Sequence, residues 1–283
     1  MTTSGPTETG LGDTRPTTAH PSDAAPTDHG TVTSADGTEL AWSRTGSGPD
    51  LVMVHCVATS RTATPQPGLP AALAEHFTVW TYDRRGTGES GTTEPYTFER
   101  ELEDLAAVVG LAEGRPVTAY GFSSGATLLL LAAEAGAPVA RLALLEPPLM
   151  PEDPGLAARE HARRLIDEDL AAARRWFDVE VVGVPAEILD EMPPPSEQDL
   201  ENTRTIVHEL TFLPGTPAER FASVTTPTLV IASDATDPGM LDGVRELDEK
   251  VPAVTAAILP GEWHGVEDAR LATAIHEFVS GGA

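Results

Sequence analysis

From about residue 30 to the end of the chain, short apolar runs alternate with longer stretches whose apolar positions recur every three or four residues. The runs at 51–55, 117–120, 140–145 and 228–232 are nearly continuous in apolar residues. Strands of a parallel sheet covered on both faces read this way. Segments 30–33 and 39–44, joined by the turn Ala35-Asp36-Gly37, predict an antiparallel pair, and 77–82 and 253–259 predict two further strands. Helices are predicted at 97–111, where Phe98, Leu102, Leu105, Val108 and Val109 share one face, and at 125–136, 239–250 and 267–279. Two antiparallel openers followed by βαβα units predict an α/β fold with a doubly wound, mostly parallel sheet.

The rhythm breaks at 147–224. This stretch is helix-forming (LAAREHARRLIDEDLAAARRWF), is punctuated by Pro193-Pro194-Pro195, and has no clear strand. It is predicted to be a helical cap over the carboxyl edge of the sheet, where open α/β sheets place ligands. Its apolar residues, among them Trp176, Phe177, Met192, Leu210 and Leu213, either line an apolar pocket or form the core of the cap itself. Residues 1–28 are mostly Thr, Pro, Ser, Gly and Asp with almost nothing to bury, so a disordered acidic tail is expected there. The expected core is then 29–146 with 225–283.

Hydrophobic residues make up 40% of the 283, enough for one large core. A formal net charge of −26 argues against nucleic acid and anionic membranes as partners; it reads as a solvated acidic surface. No apolar run approaches the ~18 residues that span a bilayer, and the start MTTSGPTETG lacks a basic residue and an apolar stretch. The single cysteine, Cys56, leaves no internal disulfide and no cysteine-built zinc cluster. A cytoplasmic protein acting on a small molecule is expected, with its oligomeric state left open.

Candidate chemistry centres on Ala119-Tyr120-Gly121-Phe122-Ser123-Ser124-Gly125, which follows a predicted strand and opens a predicted helix. A serine needs exposure and a base to act as a nucleophile. A sharp strand-to-helix turn gives the exposure, and glycines two before and two after let the chains cross closely, which is the nucleophile-elbow pattern. Ser123 is therefore the candidate nucleophile. The N–H of Ser124, at the helix N-terminus, is a candidate oxyanion donor.

With VMVHCVATSR (52–61), YDRRGTGES (82–90), LALLEPPL (142–149) and LPGEWHG (259–265), the chain resembles the α/β-hydrolase superfamily, in its serine-nucleophile, helical-cap form, from about residue 31 onward. The resemblance implies that His264 is the base, since it follows the nucleophile in the order Ser…acid…His, and that the N–H of Val57 is the second oxyanion donor. Cys56 stands where the family usually has glycine, and a side chain there narrows the pocket or turns the peptide. His55 is implied to be structural. For the acid, the usual family position falls on Thr236, flanked by Asp234 and Asp237. Some relatives instead carry a working glutamate at the position of Glu146, which ends the apolar run LALL and needs a partner if buried. Glu146 is favoured over Asp237, and Asp237 over Asp234.

Gly86-Thr-Gly88-Glu-Ser-Gly91 spells a dinucleotide fingerprint, but no helix opens inside it. Asp83, Arg84 and Arg85 are expected to brace this loop. No metal-ligand spacing is present, and no cofactor is expected. The implied activity is cleavage of an ester, lactone, thioester or related acyl bond of a small hydrophobic molecule through an acyl-enzyme on Ser123. An acyltransferase or cyclase-like biosynthetic enzyme on the same fold is the alternative, ahead of a non-catalytic binding protein.

Overall fold

The computed structural model describes residues 28–191 and 193–281, without the side chain of Ile188. The tail expected at 1–28 lies outside these residues except for Asp28, as does Met192.

Eight strands form one sheet: β1 (Asp28–Thr33), β2 (Glu39–Thr45), β3 (Asp50–Val54), β4 (Thr78–Tyr82), β5 (Val117–Phe122), β6 (Arg141–Leu145), β7 (Thr228–Ser233) and β8 (Val254–Leu259). Their spatial order is β1-β2-β4-β3-β5-β6-β7-β8. The β1–β2 and β2–β4 pairs are antiparallel and all the others parallel, so the predicted α/β class and sheet are present. Because strand side chains alternate between faces, each buried strand feeds two cores. Val52 and Val54, Val117 and Ala119, and Leu142 and Leu144 face one. Leu51 and Met53, Tyr120 and Phe122, and Ala143 and Leu145 face the other. The first core is covered by α2 (Phe98–Gly110) and α3 (Ser124–Glu134), and the second by α1 (Leu69–Ala74).

Between β6 and β7 the chain is helical: α4 (Gly155–Glu168), α5 (Leu170–Trp176), α6 (Ala186–Glu191), α7 (Glu197–Asn202) and α8 (Ile206–Phe212), with a π-helical turn at Phe177–Val182. The later helices are α9 (Pro238–Lys250) on the first face and α10 (Asp268–Gly281) on the second. A two-residue hairpin of β9 (Gly261–Glu262) and β10 (Gly265–Val266) precedes α10. This hairpin is not marked by hydrophobic period, because two residues per strand are too few to show one. Among the described residues, no helix is long and apolar enough to cross a membrane.

The helical insertion is pinned to the core through the 83–91 loop. Arg84 is buried and pairs with Glu101 of α2 and Glu209 of α8, each at 2.7 Å. Arg85 pairs with Asp104 at 2.7 Å and Asp36 at 3.0 Å. Asp83 accepts the Arg61 and Glu89 N–H groups at 2.7 and 2.9 Å. Tyr96 stacks on His208 at 3.7 Å, and Gly88 N–H donates to Asn202 at 3.0 Å. These are bracing contacts, and they account for the Asp-Arg-Arg-Gly sequence without a nucleotide. Gly88 is fixed at φ 54° with Asp83 where a Cβ would lie, at 2.3 Å.

Candidate active site

The sheet reverses direction of growth between β3 and β5: β4 follows β3 outward on one side and β5 returns on the other. Such switch points open a crevice at the carboxyl ends of the strands. His55, Cys56 and Val57 follow β3 there, and Ser123 follows β5.

Ser123 sits at φ 53°, ψ −126° between the last residue of β5 and the first of α3. Its N–H donates to Leu145 O at 2.9 Å, and its C=O accepts from Ala126 at 2.8 Å. The turn is this tight because glycine occupies both crossing points. A Cβ at Gly121 would lie 2.7 Å from Ala126 Cα, and one at Gly125 would lie 2.5 Å from Val54 O. Such a backbone costs on the order of 1–3 kcal/mol and persists only where neighbours over-determine it.

Among the described residues, five non-glycine residues have positive φ, and three of them are Ser123, Glu146 (49°) and His264 (54°). Glu146 immediately follows β6 and is fully buried. Its Oε1 accepts the Ser233 N–H at 2.7 Å, and its Oε2 lies 2.6 Å from His264 Nδ1. His264 is the second residue of the β9–β10 turn. Its ring lies 4.9 Å from that of Phe122 and 5.5 Å from that of Trp263. The hairpin requires glycine at 261, where a Cβ would fall 2.2 Å from Gly265 O. A carboxylate on Nδ1 leaves Nε2 as the free nitrogen of the ring, the arrangement that orients an imidazole base. No hydrogen bond joins Ser123 Oγ to the His264 ring among the described residues; catalytic hydrogen bonds of this kind commonly tighten only when substrate is bound.

The rival acids have other partners. Asp237 caps α9, accepting the Gly239 N–H at 2.8 Å, and has the ordinary φ of −57°. Asp234 accepts the Gly261 N–H at 3.1 Å. Asp237 lies in the wall of the cavity that also contains Ser123 and His264, but His264 is bonded to Glu146. Thr236, at the usual family position for the acid, also lines the cavity, and its buried Oγ1 has no partner among the described residues.

The cavity has a volume of about 300 Å³. Pro147, Leu149, Phe177, Leu213 and Met240 supply apolar walls, and Val182 and Trp263 are its exposed apolar residues. Of the apolar residues expected in the insertion, Phe177 and Leu213 line the cavity; Phe177 also belongs to the insertion's own core, together with Leu210, and Trp176 packs against that core. Cys56 is buried and its thiol contacts Thr59 at 3.7 Å. Burial pushes the thiol up to about 11, partly offset by that hydrogen bond, so it remains protonated. His55 is buried, and burial lowers its pKa to about 4; a neutral ring suits a structural position. The Val57 N–H, expected to be open as an oxyanion donor, instead donates to Ser124 Oγ at 2.9 Å. The sequence carried no signal for this, because it depends on two residues 67 positions apart.

The Alpha/beta hydrolase family model matches residues 51–276. The chain belongs to the alpha/beta hydrolase family. By family it is an enzyme of the hydrolase type. An alpha/beta hydrolase from Sphaerobacter thermophilus DSM 20745 is similar to it at 36% identity and a TM-score of 0.80, covering 88% of this chain and 100% of that one. A thermophilic esterase from Thermogutta terrifontis is similar at 21% identity and a TM-score of 0.70, covering 90% and 98%. The enol-lactonase from Burkholderia xenovorans LB400 is similar at 22% identity and a TM-score of 0.64, covering 88% and 99%. The last two likenesses are of fold. The Mycobacterium tuberculosis protein described as probable oxidoreductase EphD is 37% identical over 92 residues, which are 30% of this chain. The chain spans only 15% of that curated relative's length.

Proposed function

We propose that this protein is a serine hydrolase that cleaves an ester, lactone, thioester or related acyl bond of a small, largely apolar molecule. The observation that carries the reading is the buried Glu146–His264 pair at 2.6 Å, opening onto the same cavity as the strained Ser123 elbow. His264 Nε2 takes the Ser123 hydroxyl proton as Oγ adds to the acyl carbon, and Glu146 stabilises the imidazolium that forms. The tetrahedral oxyanion is held by the Ser124 and Val57 N–H groups. As the oxyanion collapses, the bond to the leaving group breaks and the imidazolium returns its proton to that group. Water then adds to the acyl-enzyme with His264 again as base, releasing the acid and restoring Ser123. The apolar walls and the apolar residues at the mouth support an aliphatic or aromatic substrate of modest size.

The test is intact mass after exposure to a small fluorophosphonate, with wild type and Ser123→Ala in parallel, followed by turnover on a panel of esters, lactones and thioesters. Labelling and turnover confined to the wild type are expected. An unlabelled wild type, or turnover that survives Ser123→Ala, would refute the reading.

A further inference from the structure

Helix α9 carries a glycine in its interior. Gly243 is the sixth of its thirteen residues, and a glycine there destabilises a helix relative to alanine, because its backbone has more freedom to lose. Two requirements commonly fix such a residue, and neither applies. Gly243 does not have a positive φ. Nor does another backbone pass close to it: beyond α9, a Cβ there would have only the Leu149 side chain within 4 Å among the described residues. Leu149 Cδ1 would lie at 3.5 Å and Cγ at 3.7 Å, which is ordinary van der Waals contact. What the glycine does is leave space. It lines the cavity together with Met240, three residues before it on the same face of the helix, while Val244 and Leu247 pack in the first core. Leu149, opposite, is held back from filling that space because its backbone is tied on both sides. Thr127 Oγ1 donates to Pro148 O at 2.8 Å, and Met150 N–H donates to Thr216 Oγ1 at 3.0 Å.

We infer that Gly243 is a specificity-determining residue: it makes room for the acyl chain of the substrate, which is an apolar chain longer than acetyl. The inference rests on the serine-hydrolase reading above and names its substrate class. The two ends of the cavity differ. Val182 and Trp263 are its exposed apolar residues, and Trp263 precedes His264 in the chain. His264 returns the proton to the leaving group, so that group departs on the exposed side. The acyl chain is left the enclosed side, where Leu213 is buried and Leu149, Met150, Met240 and Gly243 are half-buried. These walls offer an aliphatic chain contact and no charge. A side chain at 243 would take part of this volume, so helix stability and acyl-chain room oppose each other at this position.

The test compares kcat/KM for p-nitrophenyl hexanoate and p-nitrophenyl acetate in wild type, Gly243→Ala and Gly243→Leu, with Tm measured for each. The wild type is expected to favour the hexanoate. Gly243→Ala should lower the hexanoate-to-acetate ratio about fourfold, the share of one buried methylene, and Gly243→Leu should lower it by more than about tenfold. Tm of Gly243→Ala should rise by about 2–4 °C, since alanine is the better helix residue. Stability gained as chain-length selectivity is lost is a pairing that a merely structural glycine does not give. A Gly243→Ala ratio equal to that of wild type overturns the inference, as does a lowered Tm, which would show that the glycine serves packing. A wild type that favours the acetate overturns it too. A ratio that moves only for alkyl acetates, hexyl against ethyl, would put the space on the alcohol side and overturn the assignment to the acyl chain. If Gly243→Leu does not fold, Gly243→Ala decides alone. A wild type that neither labels with the fluorophosphonate nor turns over either ester ends the serine-hydrolase reading and this inference with it. A labelled wild type whose ratio is unmoved by Gly243→Ala ends this inference only.

Discussion

Replacing Glu146 by Gln is the substitution that most directly tests the proposed charge relationship. The carboxylate is fully buried, 2.6 Å from His264 Nδ1, and its other oxygen keeps the Ser233 N–H at 2.7 Å. At that separation an imidazolium gains about 6 kcal/mol at an effective dielectric of 20, less whatever desolvation removes. Gln fits the same volume and still accepts from Ser233, but it carries no charge. Its NH2 group then faces Nδ1, which favours the tautomer with the proton on Nε2, where the Ser123 proton has to go. A loss of about 4 kcal/mol in transition-state stabilisation corresponds to roughly a thousandfold in kcat. The assay is steady-state hydrolysis of an activated ester across pH 6–9, with circular dichroism and Tm as controls. Tm should hold or rise, because an ionised carboxylate is no longer kept from water. Asp237→Asn, which keeps an acceptor for the Gly239 N–H now at 2.8 Å, should change kcat by less than about threefold and stability by less than about 0.5 kcal/mol, since Asn and Asp cap helices about equally well. A Glu146→Gln enzyme within about threefold of wild type, or one no worse than Asp237→Asn, would refute the reasoning.

Three further outcomes are expected. Gly125→Ala drives a Cβ to within 2.5 Å of Val54 O; a loss of roughly 2–3 kcal/mol, read as a Tm lower by about 5–10 °C, should accompany lost fluorophosphonate labelling. Cys56, whose thiol is raised to about 11, should resist iodoacetamide at pH 8 in the native protein and react promptly in guanidinium; fast native alkylation would contradict its burial. His208, stacked on Tyr96, has its pKa lowered by burial from 6.5 to about 4. The unfolded chain therefore binds this proton first as pH falls, and stability is lost between about pH 6.5 and 4. His208→Phe keeps a ring against Tyr96 and should reduce the drop in urea midpoint between pH 7.5 and 5; an unchanged drop would show that His208 does not contribute it.

The strands and the elbow were legible in the sequence because local rules govern them. Continuous apolar runs mark strands buried on both faces, and Gly121 and Gly125 stand where only a hydrogen atom fits between crossing chains. Ser123 and His264 were legible as members of motifs. The acid was open between Glu146 and Asp237, since each follows an apolar strand and a carboxylate at a strand end says nothing about its partner. The hairpin that turns His264 inward contains only two residues per strand, too few to show a period.

What the sequence by itself determined, then, is the alternation of elements, the doubly wound sheet that follows from it, and the motifs that mark Ser123 and His264 as candidates. All of these depend on interactions within a few residues along the chain. The tertiary structure alone decided that Glu146 meets His264 across 118 positions, that Ser124 occupies the Val57 amide across 67, and that Arg84 ties Glu209 of the insertion to the core across 125. Hydrogen bonds and ion pairs form between groups within about 3 Å of one another in space, and separation along the chain does not encode that distance.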